Sequence, residues 1–145
     1  MNGQMNRTDF TKIVLDTNIL IAIIGRKSPF RWIFDQIIAG KLVLCVSNEI
    51  LLEYQEILER KTNPEVANNL INFLTVHPSV IKTDIFYQFR LISQDEDDNK
   101  FVDCAIAANA AYLVSNDKHF RVLKDIEFPK VKILTLPEFV QQFRG

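Results

Sequence analysis

The sequence predicts an α/β domain in which a mostly parallel β-sheet carries helices on both faces. Short, wholly apolar runs recur along the chain, as strands buried on both sides require. Between them lie stretches with apolar residues at helical spacing, and strands joined through helices run parallel. The 145 residues contain no internal repeat, low-complexity stretch or Pro/Gly-rich linker. That length and continuity suit one domain.

Residues 1–11 are polar and unpatterned and read as a loose N-terminal extension, leaving 12–145 as the domain. Residues 12–16 (KIVLD) form a buried strand that ends on a carboxylate. Residues 17–24 and then 29–39 carry helical patterning, with Gly40 as the stop. Residues 42–46 (LVLCV) are a second buried strand. Ser47 caps a helix to Lys61, with Ile50, Leu51, Tyr54, Ile57 and Leu58 on one stripe. Asn63 and Pro64 supply the cap and first residue of a helix reaching Thr75. Val80 and Ile81 mark a short strand, while residues 83–92 fit either strand or loop. The acidic run 95–98 interrupts the pattern, and a helix rich in small residues follows over 99–111. Residues 112–115 are a strand, 118–123 a short helix and 131–135 the last strand, before Pro137 opens a closing helix.

Composition narrows the function. A hydrophobic content of 48%, with 11 Phe, excludes a disordered chain. The longest apolar run, residues 19–24, is far short of the ~20 residues that span a membrane. The start of the chain lacks a basic-then-apolar signal, so the expected location is cytoplasmic. Cys45 and Cys104 lie in apolar runs without CxxC spacing and read as reduced core thiols. A net charge of −1 gives no global field for polyanions. Four glycines and no Gly-rich loop argue against a phosphate-cradling turn. His77, before Pro78, suggests a turn; neither it nor His119 has the Ser or Cys neighbours of a nucleophilic triad. Phe30, Trp32 and Phe34 read as helix packing.

Open parallel sheets place their sites beyond the carboxyl ends of the strands. Asp16 ends one strand and Asp117 lies two residues past another; taken singly, such an Asp more often caps the next turn than does chemistry. On the helical wheel Glu53 falls beside Ile50 and Ile57, at the edge of the apolar stripe, whereas Glu56 and Glu59 face solvent. An acid over a core edge is costly unless paired or bound to a cation. Asp98 sits at a helix start, where first-turn N–H groups hold a negative charge, and Asp103 lies about a turn later among apolar residues. Asp95, Glu96 and Asp97 read as a solvated acidic loop. Carboxylates converging on one crevice repel, and a hard divalent cation is the usual relief. Such a site hydrolyses phosphodiesters by activating water and neutralising developing charge.

The motifs resemble those of PIN-domain nucleases. Residues 14–18 (VLDTN) are similar to the opening motif, and 47–53 (SNEILLE) to the helix carrying the second acid. Residues 97–103 (DDNKFVD), followed by AIAA, resemble the segment with the third acid, and 112–117 (YLVSND) the strand-then-Asp motif with the fourth. In this order they span most of the chain, and the third motif resembles the toxin branch of toxin–antitoxin PIN proteins, VapC-like. The resemblance implies a Rossmann-like sheet and an endoribonuclease dependent on Mg²⁺ or Mn²⁺, acting on single-stranded RNA. It carries Asp16, Glu53 and Asp117 over as catalytic, metal-binding acids, with Asp98 and Asp103 both matching the third. Asn18 and Ser115 match supporting polar positions. A separate antitoxin and a homodimer are the implied partners. RNA-binding residues stay open: Arg26, Lys27, Arg31, Lys118, His119 and Arg121 are scattered candidates, each more often an ordinary solvated face than a phosphate contact. Two other readings remain, a catalytically silent RNA- or protein-binding module and a receiver-like domain with a phosphorylated Asp.

Overall fold

Each of the five apolar runs supplies a strand. The computed structural model describes residues 10–144. The order is β1 (Thr11–Leu15), α1 (Thr17–Ile24), α2 (Arg31–Ile38), β2 (Leu42–Val46), α3 (Asn48–Lys61), α4 (Pro64–Val76), β3 (Val80–Lys82), α5 (Asn99–Ala108), β4 (Tyr112–Val114), β5 (Ile133–Leu134) and α6 (Leu136–Phe143). Short 3-10 segments cover Glu96–Asp98 and Lys118–Asp125. The first nine residues of the expected N-terminal extension lie outside the described part. Thr11, expected in that extension, instead opens β1 opposite Leu42.

The sheet order is β3-β2-β1-β4-β5, with every pairing parallel. Ile13 stands opposite Leu44 on one side and Tyr112 on the other. All five residues of β2 are buried. Because successive side chains point to opposite faces, this requires cover on both sides of the sheet. Ile13, Val14, Leu44, Leu113 and Val114 form its centre, joined by Leu20, Ile23, Ile37, Tyr54, Phe101 and Phe139 from the helices. Each such side chain contributes about 1.5–3 kcal/mol by leaving water.

Local chemistry sets the element ends. Ser47 accepts from the Ile50 N–H, Asn63 accepts from the Val66 N–H, and Thr135 with Glu138 forms a reciprocal capping box. Gly40, at φ +84°, makes the left-handed turn after α2, a conformation that costs glycine nothing. Two expectations shift, and one open reading is decided. The helix expected over 99–111 stops at Ala108, because Asn109 adopts the left-handed conformation (φ 54°, ψ 47°). Its N–H and that of Ala110 then bond back to Ile106 and Ala105, a Schellman ending. The last strand shrinks to Ile133–Leu134, since β5 pairs only with the three-residue β4. Residues 83–92 form no strand; side chains of α5 hold them instead. Asn99 accepts from the Ile92 N–H (2.9 Å) and donates to the Ile92 carbonyl (2.8 Å). Cys45 and Cys104 are buried free thiols, and burial pushes them up to about 11 and about 12. Among the described residues, no helix is long and apolar enough to cross a membrane.

Candidate metal centre

The chain leaves β1 towards β2 and returns to β4 on β1's other side, so strand order reverses between β1 and β4. Neighbouring strands that diverge in this way open a crevice at their carboxyl ends. Asp16 follows β1 at once, and residues 115–117 follow β4. Hydrogen bonds tie the two ends together. The Asp16 N–H donates to Val114 O (3.1 Å). The Ser115 hydroxyl donates to Asp16 Oδ2 (2.7 Å) and accepts from the Asp117 N–H (3.0 Å). Asp16 Oδ1 accepts from the Thr17 N–H at the start of α1 (2.8 Å), where the helix dipole favours a negative charge.

Glu53 arrives from α3. The adjacent Tyr54 is wholly buried and donates its hydroxyl to the Leu15 carbonyl (2.5 Å), the residue before Asp16. This bond fastens α3 to the end of β1 and brings Glu53 to the crevice. One oxygen of Glu53 accepts from the Thr17 hydroxyl, and the other takes the Lys100 ammonium at 2.6 Å. Burial disfavours the Lys100 charge, but the hydrogen bond and charge of Glu53 outweigh it and hold Lys100 above its ordinary value. Asp117 Oδ1 accepts from the His119 N–H (2.9 Å).

Asp98 ends the 3-10 turn before α5 and is only 9% exposed. Its Oδ2 and Nδ1 of His119 are buried atoms that make no hydrogen bond, and they face each other at ion-pair distance, 3.4 Å. The same Nδ1 lies 3.4 Å from Asp117 Oδ1. Burial first, then the charges of Asp95, Asp117 and Asp16, raise the Asp98 carboxyl to about 6. Asp16 is raised too, chiefly by burial and further by Glu53 and Asp117, against the lowering bonds from Ser115 and Thr17.

The structure thus gathers Asp16, Glu53, Asp98 and Asp117 into one electrostatic group. Asp103 stands apart. Its Oδ1 accepts from the Phe89 N–H (3.1 Å), and with Glu49, Arg90 and Lys100 it lines a shallow cavity of about 320 Å³. Burial raises its carboxyl, and the acid it feels is Glu49. Asn18 is exposed, and its amide oxygen accepts from Lys61 (3.4 Å) rather than supporting an acid. Arg31 binds Asp35 (3.2 Å) and the Ile24 carbonyl (2.9 Å), whereas Arg26, Lys27, Lys118 and Arg121 are exposed.

Sequence reasoning passed over Thr17 and Lys100, and read His119 as a surface histidine or an RNA contact rather than as a neighbour of the acids. A signal existed for Lys100, because a cation in a helix's first turn opposes the dipole unless an acid holds it. The donors of the crevice are hard oxygens, which suit Mg²⁺ or Mn²⁺. A buried carboxylate oxygen that accepts no hydrogen bond costs about 1–3 kcal/mol; Oδ2 of Asp98 is such an atom, with only the His119 ring facing it. The residues therefore fit a divalent cation.

The sheet order with acids at its switch point is that of an α/β protein. Residues 12–119 match the PIN domain, and the chain belongs to that family. A relative in Methanocaldococcus jannaschii, the uncharacterised protein MJ1680, is 30% identical over an alignment covering 91% of each chain. Three solved structures share the fold. A chain of VapBC2 from Rickettsia felis, bound to a DNA fragment from their promoter, superposes with a TM-score of 0.59 at 20% identity, over 86% of this chain and 98% of that one. VapBC-1 from nontypeable Haemophilus influenzae gives 0.53 at 18% identity, over 86% and 97%. DNA-bound VapBC from Salmonella typhimurium gives 0.52 at 18% identity, over 87% and 98%.

Proposed function

We propose that this PIN domain is an endoribonuclease that hydrolyses phosphodiester bonds of single-stranded RNA with Mg²⁺ or Mn²⁺, as the toxin of a toxin–antitoxin pair. The observation that carries the reading is the crevice at the carboxyl ends of β1 and β4, where the charges of Glu53 and Asp117 raise Asp16 and those of Asp117 and Asp16 raise Asp98. In this reading Asp16, Asp98 and Asp117, with Glu53, are the ligands. A divalent cation held there supplies an activated water and neutralises charge on the scissile phosphate. Ser115 orients Asp16, and the Thr17 hydroxyl orients Glu53. Lys100 keeps a positive charge beside Glu53, where it would meet an incoming phosphate. Asp103 enters the reading as the residue that holds segment 83–92 through Phe89.

The partners proposed are an RNA substrate, a separate antitoxin protein and a second copy of the chain, in the cytoplasm. Likeness in fold to chains of three VapBC complexes supports the antitoxin. One observation favours a second reading, a catalytically silent binding module: both oxygens of Glu53 already have partners within the chain. Incubating single-stranded RNA with chelator-stripped protein, then adding Mg²⁺ or Mn²⁺, separates the two. The nuclease cleaves only with metal, and Asp16→Asn does not. Equal cleavage by wild type and Asp16→Asn, or none by either, overturns the proposal.

A further inference from the structure

The end of the sheet opposite the crevice carries the opposite charge. Thr11 and Tyr112 open β1 and β4 there, Lys41 immediately precedes β2, and Lys132 immediately precedes β5. Helix α6 returns Phe143 and Arg144 to this end, beside Tyr112 and Thr11. Two of the cations lie over aromatic rings: Lys132 Nζ is 5.2 Å from the centre of Tyr112, and the Arg144 guanidinium 5.0 Å from that of Trp32 in α2. Phe143 links the two pairs. It stands edge-on to Tyr112 at 5.7 Å and, with Trp32, lines a cavity of about 530 Å³. Gln36, Lys41 and Arg144 line it too, and no acid does. Cations and rings thus interleave along one strip. The net charge of −1 conceals it, because the acids of the crevice gather at the carboxyl ends of the strands. The 5 residues of β1 set the two ends about 15 Å apart.

Interleaved cations and rings suit a single-stranded nucleic acid, whose phosphates need positive charge and whose unpaired bases need an aromatic face. A duplex hides its base faces. The cavity falls within the range of about 300–1,000 Å³ that encloses small ligands, so it admits a base. Its rings are held in advance: Trp32 is half-buried, and Phe143 stacks on Phe139 at 4.5 Å. A guanidinium held over a ring still offers the N–H fork that grips phosphate. Lys41, Lys132 and Arg144 are exposed, and among the described residues they form no ion pair.

We infer that this strip binds single-stranded RNA at a site separate from the crevice. A base enters the cavity against Trp32 and Phe143, and the backbone crosses Lys41, Arg144 and Lys132. The site goes beyond the proposed cleavage, since it holds RNA without metal and whether or not the crevice cuts.

The test titrates full-length protein, in chelator, with a labelled single-stranded RNA of about ten nucleotides. Anisotropy reads binding, and the fluorescence of Trp32, the protein's one tryptophan, reads stacking. Wild type should bind with quenching of Trp32. Its affinity should fall about 20-fold between about 50 and 200 mM salt, as three phosphate contacts require. Lys41→Ala combined with Arg144→Ala should weaken binding about tenfold or more and reduce that salt effect to about threefold. Both residues are exposed, so the fold stands, which circular dichroism verifies. Trp32→Phe keeps a ring and should bind within about threefold of wild type, whereas Trp32→Ala should lose about tenfold. Asp16→Asn, at the other end of the sheet, should bind as tightly as wild type. Absence of quenching, wild-type affinity in the double variant, or tighter binding of a duplex of the same sequence overturns the site. Equal quenching by polyglutamate also overturns it, by making the cavity a general anion pocket. All these readings are taken without metal. A protein that binds RNA here and cleaves none keeps this site and loses only the nuclease reading.

Discussion

Asp98→Asn should make the metal-free protein more stable at neutral pH, because the native carboxylate is charged there at a cost. Burial, then Asp95, Asp117 and Asp16, raises its folded value from 3.8 to about 6. An acid so raised binds its proton more tightly folded than unfolded. Its stabilising contribution is complete below about pH 4 and is lost as pH rises through about 6. The rise from 3.8 to about 6 corresponds to at most about 3 kcal/mol. Asn is near-isosteric with the protonated acid, so the substitution should be close to neutral at pH 4.5 and stabilising by up to about 3 kcal/mol at pH 8. For a chain of this size that raises Tm by roughly 6–12 °C. Thermal and urea unfolding of both proteins in chelator, across pH 4.5–8, reads the effect. Adding Mn²⁺ should reverse the order, since wild type gains RT ln(1 + [metal]/Kd) that the variant largely forgoes. A pH-independent difference, or an Asp98→Asn protein less stable at pH 8 without metal, would refute the reasoning.

Tyr54→Phe removes the donor to the buried Leu15 carbonyl and should cost about 1–2 kcal/mol in urea unfolding; wild-type stability would mean that α3 is held by packing alone. Asn99→Ala breaks both bonds to Ile92 and should cost about 2–3 kcal/mol. It should also speed hydrogen exchange at the Ile92 amide, and unchanged exchange there would contradict the anchoring role. Asp103→Asn keeps an oxygen for the Phe89 N–H and should bind Mn²⁺ within about twofold of wild type, as a residue sharing no partner with the proposed ligands does. A tenfold weakening would return Asp103 to the ligand set.

Much of the fold was legible because its determinants are local. Helix α1 and strand β2 have the bounds that apolar patterning predicts, and α3 starts at its Ser47 cap. Errors arose where distant or special backbone contacts decide. Ala110 and Ala111 look helical, yet Asn109 turns left-handed before them. Residues 83–92 were ambiguous because Asn99 and Asp103, side chains well down the chain, bond their backbone. The candidate site divides the same way. Strand ends announced Asp16 and Asp117, and helical phase brought out Glu53. The separation of Asp98 from Asp103 was invisible, since both match the motif's third acid until Phe89 claims one of them. The pairing of Lys100 with Glu53 joins residues 47 apart in sequence, a distance that periodicity does not reach.

The central claim is that the acids at the β1–β4 switch point hold a divalent cation. A crystal grown with Mn²⁺ and measured at the manganese absorption edge tests it most directly. An anomalous peak bounded by carboxylate oxygens of Asp16, Asp98 and Asp117 is the predicted result. Those side chains without a peak among them, or manganese bound only elsewhere on the surface, would contradict it.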